Sequence, residues 1–402
     1  MKANIIISHV VNDAATHGFV PAANTLNGMT VLITDHKFDH LQLAATDNRF
    51  TPDLILECDV FNPLDIIDTI VNQGLNPQLV FSNSDHLQTS TAIVAEFFHL
   101  PAKSWQTCLK AKNKHLTRQH LSVLGLPSIA SWLLTTDSAL PADLTFPLVA
   151  KPKEGVASMD VTRCNNEEEL NQYCKQYWQK HANTAILLES YIEGPLITIE
   201  TLGDGKQLIP IGGFDVSLSQ PPHFIETAAT WNGPLSQRYQ AQCLTQLAAF
   251  GIGFGVCHSE FIISNEGPIL VEINYRSIGD GREFLLDRLA PYSWFETILK
   301  LHQGHPLPEH ATINGSAHIH YVVAEQDGIV SEQPESFQRQ QDDIQIHYQV
   351  LKKAGEKLTL SHSNKDYLAR LSLYSPSGQS LSAALEKTLG NVHVSLEKEA
   401  VA

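Results

Sequence analysis

The chain has only six cysteines in 402 residues, at positions 58, 108, 164, 174, 243 and 257. No two form a C-x-x-C pair, and their spacing gives neither a disulfide framework nor a zinc-ligand pattern. Reduced structural thiols are therefore expected. No run of about 18 apolar residues marks a membrane span, and the opening "MKANIIISHV" has one lysine and an apolar stretch too short for a secretory leader. Basic residues are scarce: 27 Lys and Arg stand against 43 Asp and Glu, a formal net charge of −16. An acidic surface without a basic cluster argues against nucleic acid or an anionic membrane as the main partner. A locally positive cleft can still take an anionic small molecule. The turn after the first strand, "SHVVNDAATHG", lacks G-x-G-x-x-G, which disfavours a dinucleotide oxidoreductase. A soluble cytoplasmic protein acting on small molecules is the expectation.

What is present is a globular mixture, 43% hydrophobic and 17% charged, with enough apolar material for a large core. The length suits two or three domains at about 150 residues each. The first hundred residues alternate strand ("NIIIS", "TVLITD", "QLVFSN") with helix ("LDIIDTIVNQG", "LQTSTAIVAEFFHL"). Such alternation implies a parallel sheet with helices on its faces. "NKHLTRQHLSVLGLP" then reads as a helix and "TFPLVAK" as a strand entering the loop "PKEGVAS". Asn166 and Glu169 fit a capping box for the helix "EEELNQYCKQYW", and "TAILLESYI" returns as a strand. Residues 115–192 thus make a small α+β unit. Further strands, a helix around 235–250, helical segments to about 303 and a last hundred residues of strands with one helix complete the pattern.

Residues 255–276, "GVCHSEFIISNEGPILVEINYR", read as two apolar strands joined by a turn, yet Glu260, Glu272 and Asn274 interrupt them. "SNEGP" suits a three-residue loop, 265–267, closing on a left-handed glycine. Ser264 then faces Pro268, and Glu260 faces Glu272. Asn274 shares the face of Glu272, while Ile273 points the other way. Like charges directly opposed destabilise a strand pair, so something positive has to compensate. Two carboxylates and a carboxamide are hard oxygen ligands suited to Mg²⁺ or Mn²⁺, and Mg²⁺ completes its shell with water and nucleotide phosphates. The plainer reading is a solvent-facing strand with unrelated acids; the cross-strand register and nearby Arg276 favour the metal.

Lys151 ends a strand, and the loop after it carries Gly155, Ala157 and Ser158. An ammonium held at a strand end neutralises phosphate as a point charge, and small loop residues let backbone N–H groups approach phosphate oxygens and close over them. A surface turn is the bland alternative. Lys114 opens the preceding helix, where an ordinary solvated lysine is the majority case. "ILLESYIEG" ends an apolar strand in Glu189, followed by Ser190, Tyr191 and Ile192. An acceptor for an exocyclic amine, a backbone donor and flat apolar walls are what adenine recognition needs.

Taken in order, these segments resemble the ATP-grasp carboxylate–amine ligases. "VFSNSDHLQTSTAIVAEFFHLP" resembles the end of that family's first domain, and "NKHLTRQHLSVLGLP" its NK-x-x-x-R-x-x-L-x-x-x-G-x-P stretch. "LVAKPKEGVAS" resembles its KP-x-x-G-x-x-S lid, "LLESYIEG" its hinge, and "HSEF…GPILVEINYR" its E…E-x-N-x-R motif. The resemblance implies an ATP-grasp fold: an N-terminal parallel-sheet domain over 1–104 and an ATP-grasp domain over 105–305 with its lid at 115–192. A C-terminal α+β subdomain over 306–402 completes an antiparallel-sheet catalytic region. It implies ATP as cosubstrate and two Mg²⁺ ions, for which Mn²⁺ can substitute. Lys114 and Lys151 would bind phosphate, with Ser158 closing over it. Glu189 and the backbone of Tyr191 and Ile192 would hold adenine. Glu260, Glu272 and Asn274 would ligate metal. Arg276 would clamp the substrate carboxylate, with Gly279 and Gly281 keeping the floor open.

Two departures stand out. The hinge reads Gly194-Pro195-Leu196 where the family often has an acid for ribose, leaving Glu193 as a substitute, and Asp280 interrupts the usual double glycine after the arginine. In "GGFDVSLSQPPHFIETAATW", His223, Glu226 and Trp231 are candidates for reading an amine or acid, with an ordinary loop an equal alternative. His258 lies two residues before Glu260 on the same face, touching substrate or packing beneath the site. His318 and His320 alternate on a strand, and a lone H-x-H without a third ligand is more often structural.

The expected activity is ADP-forming amide synthesis from a small carboxylate and an amine, in siderophore assembly of the vibrioferrin type or in dipeptide formation. Carboxylation or purine-type chemistry with bicarbonate or formate is the alternative, and a nucleotide-binding regulator is a rival from another class. Dimerisation is common for such a fold.

Overall fold

The computed structural model describes residues 1–397. The first unit is a four-stranded parallel sheet in the order β3-β2-β1-β4, made of β1 (Lys2–Ile7), β2 (Met29–Thr34), β3 (Leu54–Glu57) and β4 (Asn76–Phe81). Runs such as Ile5-Ile6-Ile7 and Val31-Leu32-Ile33 are buried along their whole length, as a sheet covered on both faces requires. The turn after β1 winds as a wide π-helical turn over Ala14–Phe19. Helices at Pro63–Asn72 and Gln88–Phe97 fall where the sequence places them, and a further helix, Trp105–Lys112, precedes Lys114–Val123.

The lid is a second small sheet, β5 (Ser131–Leu134), β6 (Leu148–Pro152), β7 (Thr162–Cys164) and β8 (Ile186–Ser190), in the order β5-β8-β6-β7. It packs on the helix Glu167–Lys180 through Leu148, Cys164, Leu170, Cys174, Tyr177 and Ile186. That helix is capped by the Asn166 side chain, which accepts from the Glu169 N–H at 3.0 Å, but the Glu169 carboxylate reaches back to the N–H of Asn165, not of Asn166. The capping box is thus displaced by one residue.

A ten-stranded antiparallel sheet forms the rest. Its strands are β9 (Leu196–Asp204), β10 (Leu208–Gly212), β11 (Phe214–Leu218), β12 (Glu226–Trp231), β13 (Phe254–Ser264), β14 (Gly267–Asn274), β15 (Ser316–Val323), β17 (Phe337–Gln341), β18 (Ile344–Val350) and β20 (Tyr367–Ser375). A satellite sheet holds β16 (Gly328–Glu332), β19 (Lys357–Leu358) and β21 (Ser395–Glu397). Because β12 pairs with β15, and β15 with β20, hydrogen-bonded rungs run unbroken from the metal-type hairpin into the last hundred residues. Phe19 and Phe81 of the first unit pack with Trp294, Phe295 and Tyr321 in one core, so the N-terminal sheet is fixed against the large one. All six cysteines are free, and five are buried. No helix among the described residues is long and apolar enough to cross a membrane.

The hairpin departs from expectation at its tip. Its loop has two residues, Asn265 and Glu266, so Ser264 pairs with Gly267 and Ile263 with Pro268. A bulge between Glu260 and Phe261 then absorbs Val271 as an extra residue and restores the expected pairs, Glu260 with Glu272 and His258 with Asn274. Gly267, at φ +117°, supplies the left-handed backbone the tight turn needs. The bulge, a common device beside active sites, is what re-aims the two carboxylates onto one face.

Candidate active site

The hairpin and the helix Lys114–Val123 meet across the bulge. Lys114 Nζ donates to Glu272 Oε1 at 2.9 Å and to the Gly155 carbonyl at 3.0 Å. It supplies the positive charge that the facing glutamates require. Glu260 is backed by His258, whose Nε2 lies 3.4 Å from Glu260 Oε1 and whose Nδ1 lies 2.8 Å from Glu200 Oε1. Burial opposes charge on His258, but Glu200 and Glu260 outweigh it and raise its pKa to about 9, so the ring is a cation at neutral pH. Burial likewise acts to raise the Glu260 pKa, while the hydrogen bond and charge of His258 with Arg282 and Lys114 hold it below the usual carboxylate value. Asn274 Nδ2 approaches Glu260 Oε1 at 3.5 Å. Two carboxylates and a carboxamide on one half-buried face are a donor set that fits a hard divalent cation. His258 itself faces Glu200 and Glu260 and serves as backing.

Lys151 and Glu189 occupy adjacent strands of the lid. Lys151 Nζ lies 2.6 Å from Glu189 Oε2, while Arg118 Nε lies 2.7 Å from Glu189 Oε1. All three side chains are buried. Burial pushes the Glu189 pKa up, but Arg118 and Lys151 dominate and bring it to about 2. Because the folded value lies below the unfolded one, the stabilisation is complete above about pH 4.5 and is lost as pH falls toward 2, by up to roughly 3 kcal/mol. Thermal unfolding from pH 6 to pH 3 is expected to show a steeper loss in the native chain than in Glu189→Gln. Equal slopes would remove Glu189 from this role. Both oxygens of Glu189 already accept from cations, so its first task is to hold Lys151 and Arg118, and an adenine amine would have to share an oxygen.

The lid loop is wrapped over the cleft. Ala157, Ser158 and Asp160 have φ near +55°, left-handed conformations that non-glycine residues seldom adopt away from functional turns. The loop is held by Lys114 at Gly155 and by the Asn364 backbone N–H, which donates to the Ala157 carbonyl at 3.1 Å. Beneath it lies a cleft with about 160 Å³ of free volume that brings together Lys114, Lys151, Ser158, Glu189, Glu260 and Glu272. Tyr191, Ile192 and Glu226 line it too.

At the hinge, the Tyr191 N–H donates to the Pro147 carbonyl at 3.1 Å and is therefore not a free donor. The Arg163 guanidinium sits 4.3 Å over the Tyr191 ring. Glu193 is exposed, while Leu196 lines the cleft where an acid would face ribose. Gly194 has φ +157°, and a Cβ there would lie 2.2 Å from the Ile263 carbonyl, so the strand crossing admits no side chain. Gly194→Ala is expected to lower the unfolding midpoint by several degrees, measured by thermal denaturation, and an unchanged midpoint would mean the crossing is looser than described.

Arg276 follows β14. Its Nη1 donates to the Ser277 carbonyl at 2.8 Å and its Nη2 approaches Asn274 Oδ1 at 3.4 Å. Among the described residues no carboxylate pairs with it, although Asp85, itself bound by Lys112, is close enough to feel its charge. An alanine Cβ at Gly279 would come within 3.8 Å of Arg276 Nη1, and Gly281 sits against Arg370 on the far side of the same loop.

Several sequence candidates fall elsewhere. His223 is stacked on His362 at 4.2 Å, beside Asp160 and Tyr173 on the outer side of the lid. Its neighbour Phe224 lines the cleft instead, because adjacent residues of an extended segment point opposite ways. Trp231 is a core residue whose Nε1 donates to the Ile313 carbonyl. Glu226 does reach the cleft, ion-paired with Arg282 at 2.8 Å. His318 bonds Thr230 through Nδ1 and is pushed down to about 4 by burial and His320. No metal-type cluster among the described residues includes either histidine.

Sequence reasoning missed Arg118, Glu200, Arg282 and Asn364. Arg118 stands in the quoted NK-x-x-x-R stretch and was legible there. Glu200 was hidden in the strand "LITIETLG", where a single acid among apolar residues was the available signal. Asn364 carries none: it joins three segments, accepting from Glu226 N–H at 3.2 Å, donating toward Asp280 at 3.5 Å and holding Ala157.

Residues 144–283, which contain most of this cleft, match the family model described as ATP-grasp domain. These residues form an ATP-grasp domain. A protein of Sinorhizobium fredii (strain NBRC 101917 / NGR234) described as "Uncharacterized protein y4rH" is 28% identical to it over 215 residues, 50% of this chain and 44% of that protein. "Carnosine synthase 1" of Gallus gallus is 27% identical over 240 residues, 53% of this chain and 26% of its own length. The chain is thus matched over less than half the length of either relative. Among solved structures, an L-amino acid ligase from Bacillus licheniformis has a TM-score of 0.76 at 18% identity, covering 99% of both chains. At that identity the likeness fixes the ATP-grasp fold over the whole chain.

Proposed function

We propose that the chain is an ATP-dependent, ADP-forming carboxylate–amine ligase. The observation that carries this reading is an Arg276 guanidinium without a carboxylate partner among the described residues, adjoining a face of Glu260, Glu272 and Asn274. A protein that only bound nucleotide would have no use for an acceptor clamp beside such a face. Mg²⁺, as two ions with Mn²⁺ able to replace them, would be held by Glu260, Glu272 and Asn274 and would offset phosphate charge.

The chain's own residues supply position and charge, which is most of what phosphoryl transfer asks of a protein. Arg276 holds the substrate carboxylate with two parallel donors, so that a carboxylate oxygen meets the γ-phosphorus of ATP. That bond forms as the link to ADP breaks, giving an acyl phosphate. The amine then attacks the acyl carbon, phosphate leaves and a proton is released. Lys151, fixed by Glu189, neutralises phosphate, and Lys114 would do so too if Glu272 held Mg²⁺ in place of the lysine. Ser158 and the left-handed lid loop keep water from the acyl phosphate. The Tyr191 carbonyl and Ile192 N–H would hold adenine, with Glu189 sharing an oxygen, and Glu193 would stand in as the acid for ribose. His258 supports Glu260 from behind.

Siderophore assembly or dipeptide formation is the setting we favour, the latter supported by the likeness to an L-amino acid ligase. The domain division at 104 and 305, cytoplasmic residence and a homodimer belong to the same reading. Release of ADP from pooled acids and amines tests it. Release that needs both partners supports ligation; release with bicarbonate alone would replace it with carboxylation, and ATP binding without turnover would make the chain a regulator.

A further inference from the structure

A second and larger cavity, about 620 Å³, opens on the far side of the loop that follows Arg276. Its walls come from three parts of the chain. The π-helical turn after β1 and the segment beyond β2 contribute Asp13, His17 and Arg49. The helix Arg282–Leu289, with the residue before it, contributes Gly281, Phe284 and Arg288. Strands β17, β18 and β20 contribute Phe337, Tyr348, Gln349 and Arg370. In a chain of net charge −16, these walls hold three arginines and one acid.

The arginines differ in what they already bind. Arg49 is paired with Asp47 at 2.5 Å. Arg370 is largely buried: its Nε and Nη2 donate to Gln349 Oε1 at 3.1 and 2.7 Å, and Asp13 is 3.7 Å away. Its Nη1 has no acceptor among the described residues and lies 2.3 Å from where a Cβ on Gly281 would be, so the glycine makes room for the guanidinium. Arg288 has no hydrogen bond or ion pair among the described residues, only the Tyr374 ring at 6.0 Å. The acids nearby do little to balance them. Glu283 accepts from the Gly281 N–H, and burial pushes it up to about 7, with Arg370 opposing. Asp287 accepts from the Trp294 N–H. His347 is pushed down to about 4 by burial and Arg288, so it stays neutral, while His17 is engaged by Asp13 and Asp47. Phe337 and Tyr348, stacked at 5.3 Å, give the cavity a flat apolar wall.

The cavity is close to the reacting end of the cleft. Gly279 borders Arg276 and Gly281 borders Arg370, and two residues of chain span at most about 7 Å. The two guanidinium groups therefore lie at most about 16 Å apart, a distance that one extended small molecule can span. We propose that this cavity receives a second anionic group of the substrate, so that one of the two molecules joined carries a carboxylate or phosphate in addition to the group that reacts. The proposal rests on the ligase reading for its link to turnover, and on the cavity alone for anion binding.

Isothermal titration of the whole chain with acetate, succinate, citrate, inorganic phosphate and glycerol 3-phosphate separates the two sources of anion. The expected result is that succinate and citrate, or else glycerol 3-phosphate, bind at least tenfold tighter than acetate. Arg288→Gln and Arg370→Gln should each weaken that binding about tenfold while ADP binding stays within twofold. Arg288 is exposed, so its variant folds even if the buried Arg370 variant does not. Equal binding of all five probes, or binding indifferent to Arg288→Gln, would overturn the proposal. Arginine-dependent binding without ADP release in any acid–amine pool would overturn the ligase reading and leave an anion site. ADP release with an unchanged KM for the acid and for the amine in both variants would do the reverse.

Discussion

Replacing Glu272 by alanine is expected to lower amine-dependent ADP release by about 10²–10³-fold or more, the range seen when one preorganised electrostatic group is removed from a reacting centre. Two effects add. The face opposite Glu260 loses half its carboxylate charge, so a divalent cation is held by one acid and Asn274. Lys114, whose side chain is 8% exposed, loses the carboxylate that compensates it at 2.9 Å. Glu272→Gln separates the two, because it keeps the shape and a carbonyl oxygen but not the charge. If charge is what matters, glutamine should be nearly as damaging as alanine, and excess Mg²⁺ should recover part of the glutamine variant's rate. Full turnover in the alanine variant would dispose of the metal assignment.

The largest stability effect is expected at Arg118. Its guanidinium binds Glu189 at 2.7 Å, the Leu270 carbonyl at 2.8 Å and the Val271 carbonyl at 2.5 Å. Removing one member of a buried ion network leaves an under-compensated charge and typically costs about 3–5 kcal/mol. Arg118→Leu should therefore lower the urea midpoint strongly. It also frees the two carbonyls that pin the bulge, so activity should fall even in the fraction that folds. Arg118→Lys is expected to rescue little, since an ammonium cannot reproduce a planar fork reaching three acceptors. A loss under about 1 kcal/mol for the leucine variant would mean that the network is far better hydrated than its burial indicates.

Much of this was readable from residues in order, and the failures have physical causes. The alternation of strand and helix located the parallel sheet, and the spacing of Glu260, Glu272 and Asn274 located their shared face. The expected three-residue loop was wrong by one residue, and the bulge at Val271 corrected it by one. Two offsetting departures preserved the pairing, because bulges follow from twist and neighbouring contacts that a local pattern does not encode. The chemistry of His223 and Trp231 suits a pocket, but only the fold tells which side of an extended segment faces a cavity. Arg370 and Asn364 lie beyond any motif: Arg370 is placed by its strand pairings with Tyr321 and Gln349, and Asn364 reaches Glu226 from 138 residues away.

The bond from the Asn364 amide to the Ala157 carbonyl has a dynamic consequence. For the flap to swing aside and admit a nucleotide, it has to let go of a residue near the end of the chain. On the ligase reading, the pace of each turnover would be tied to how firmly that distal segment sits in place, far along the polypeptide from the lid.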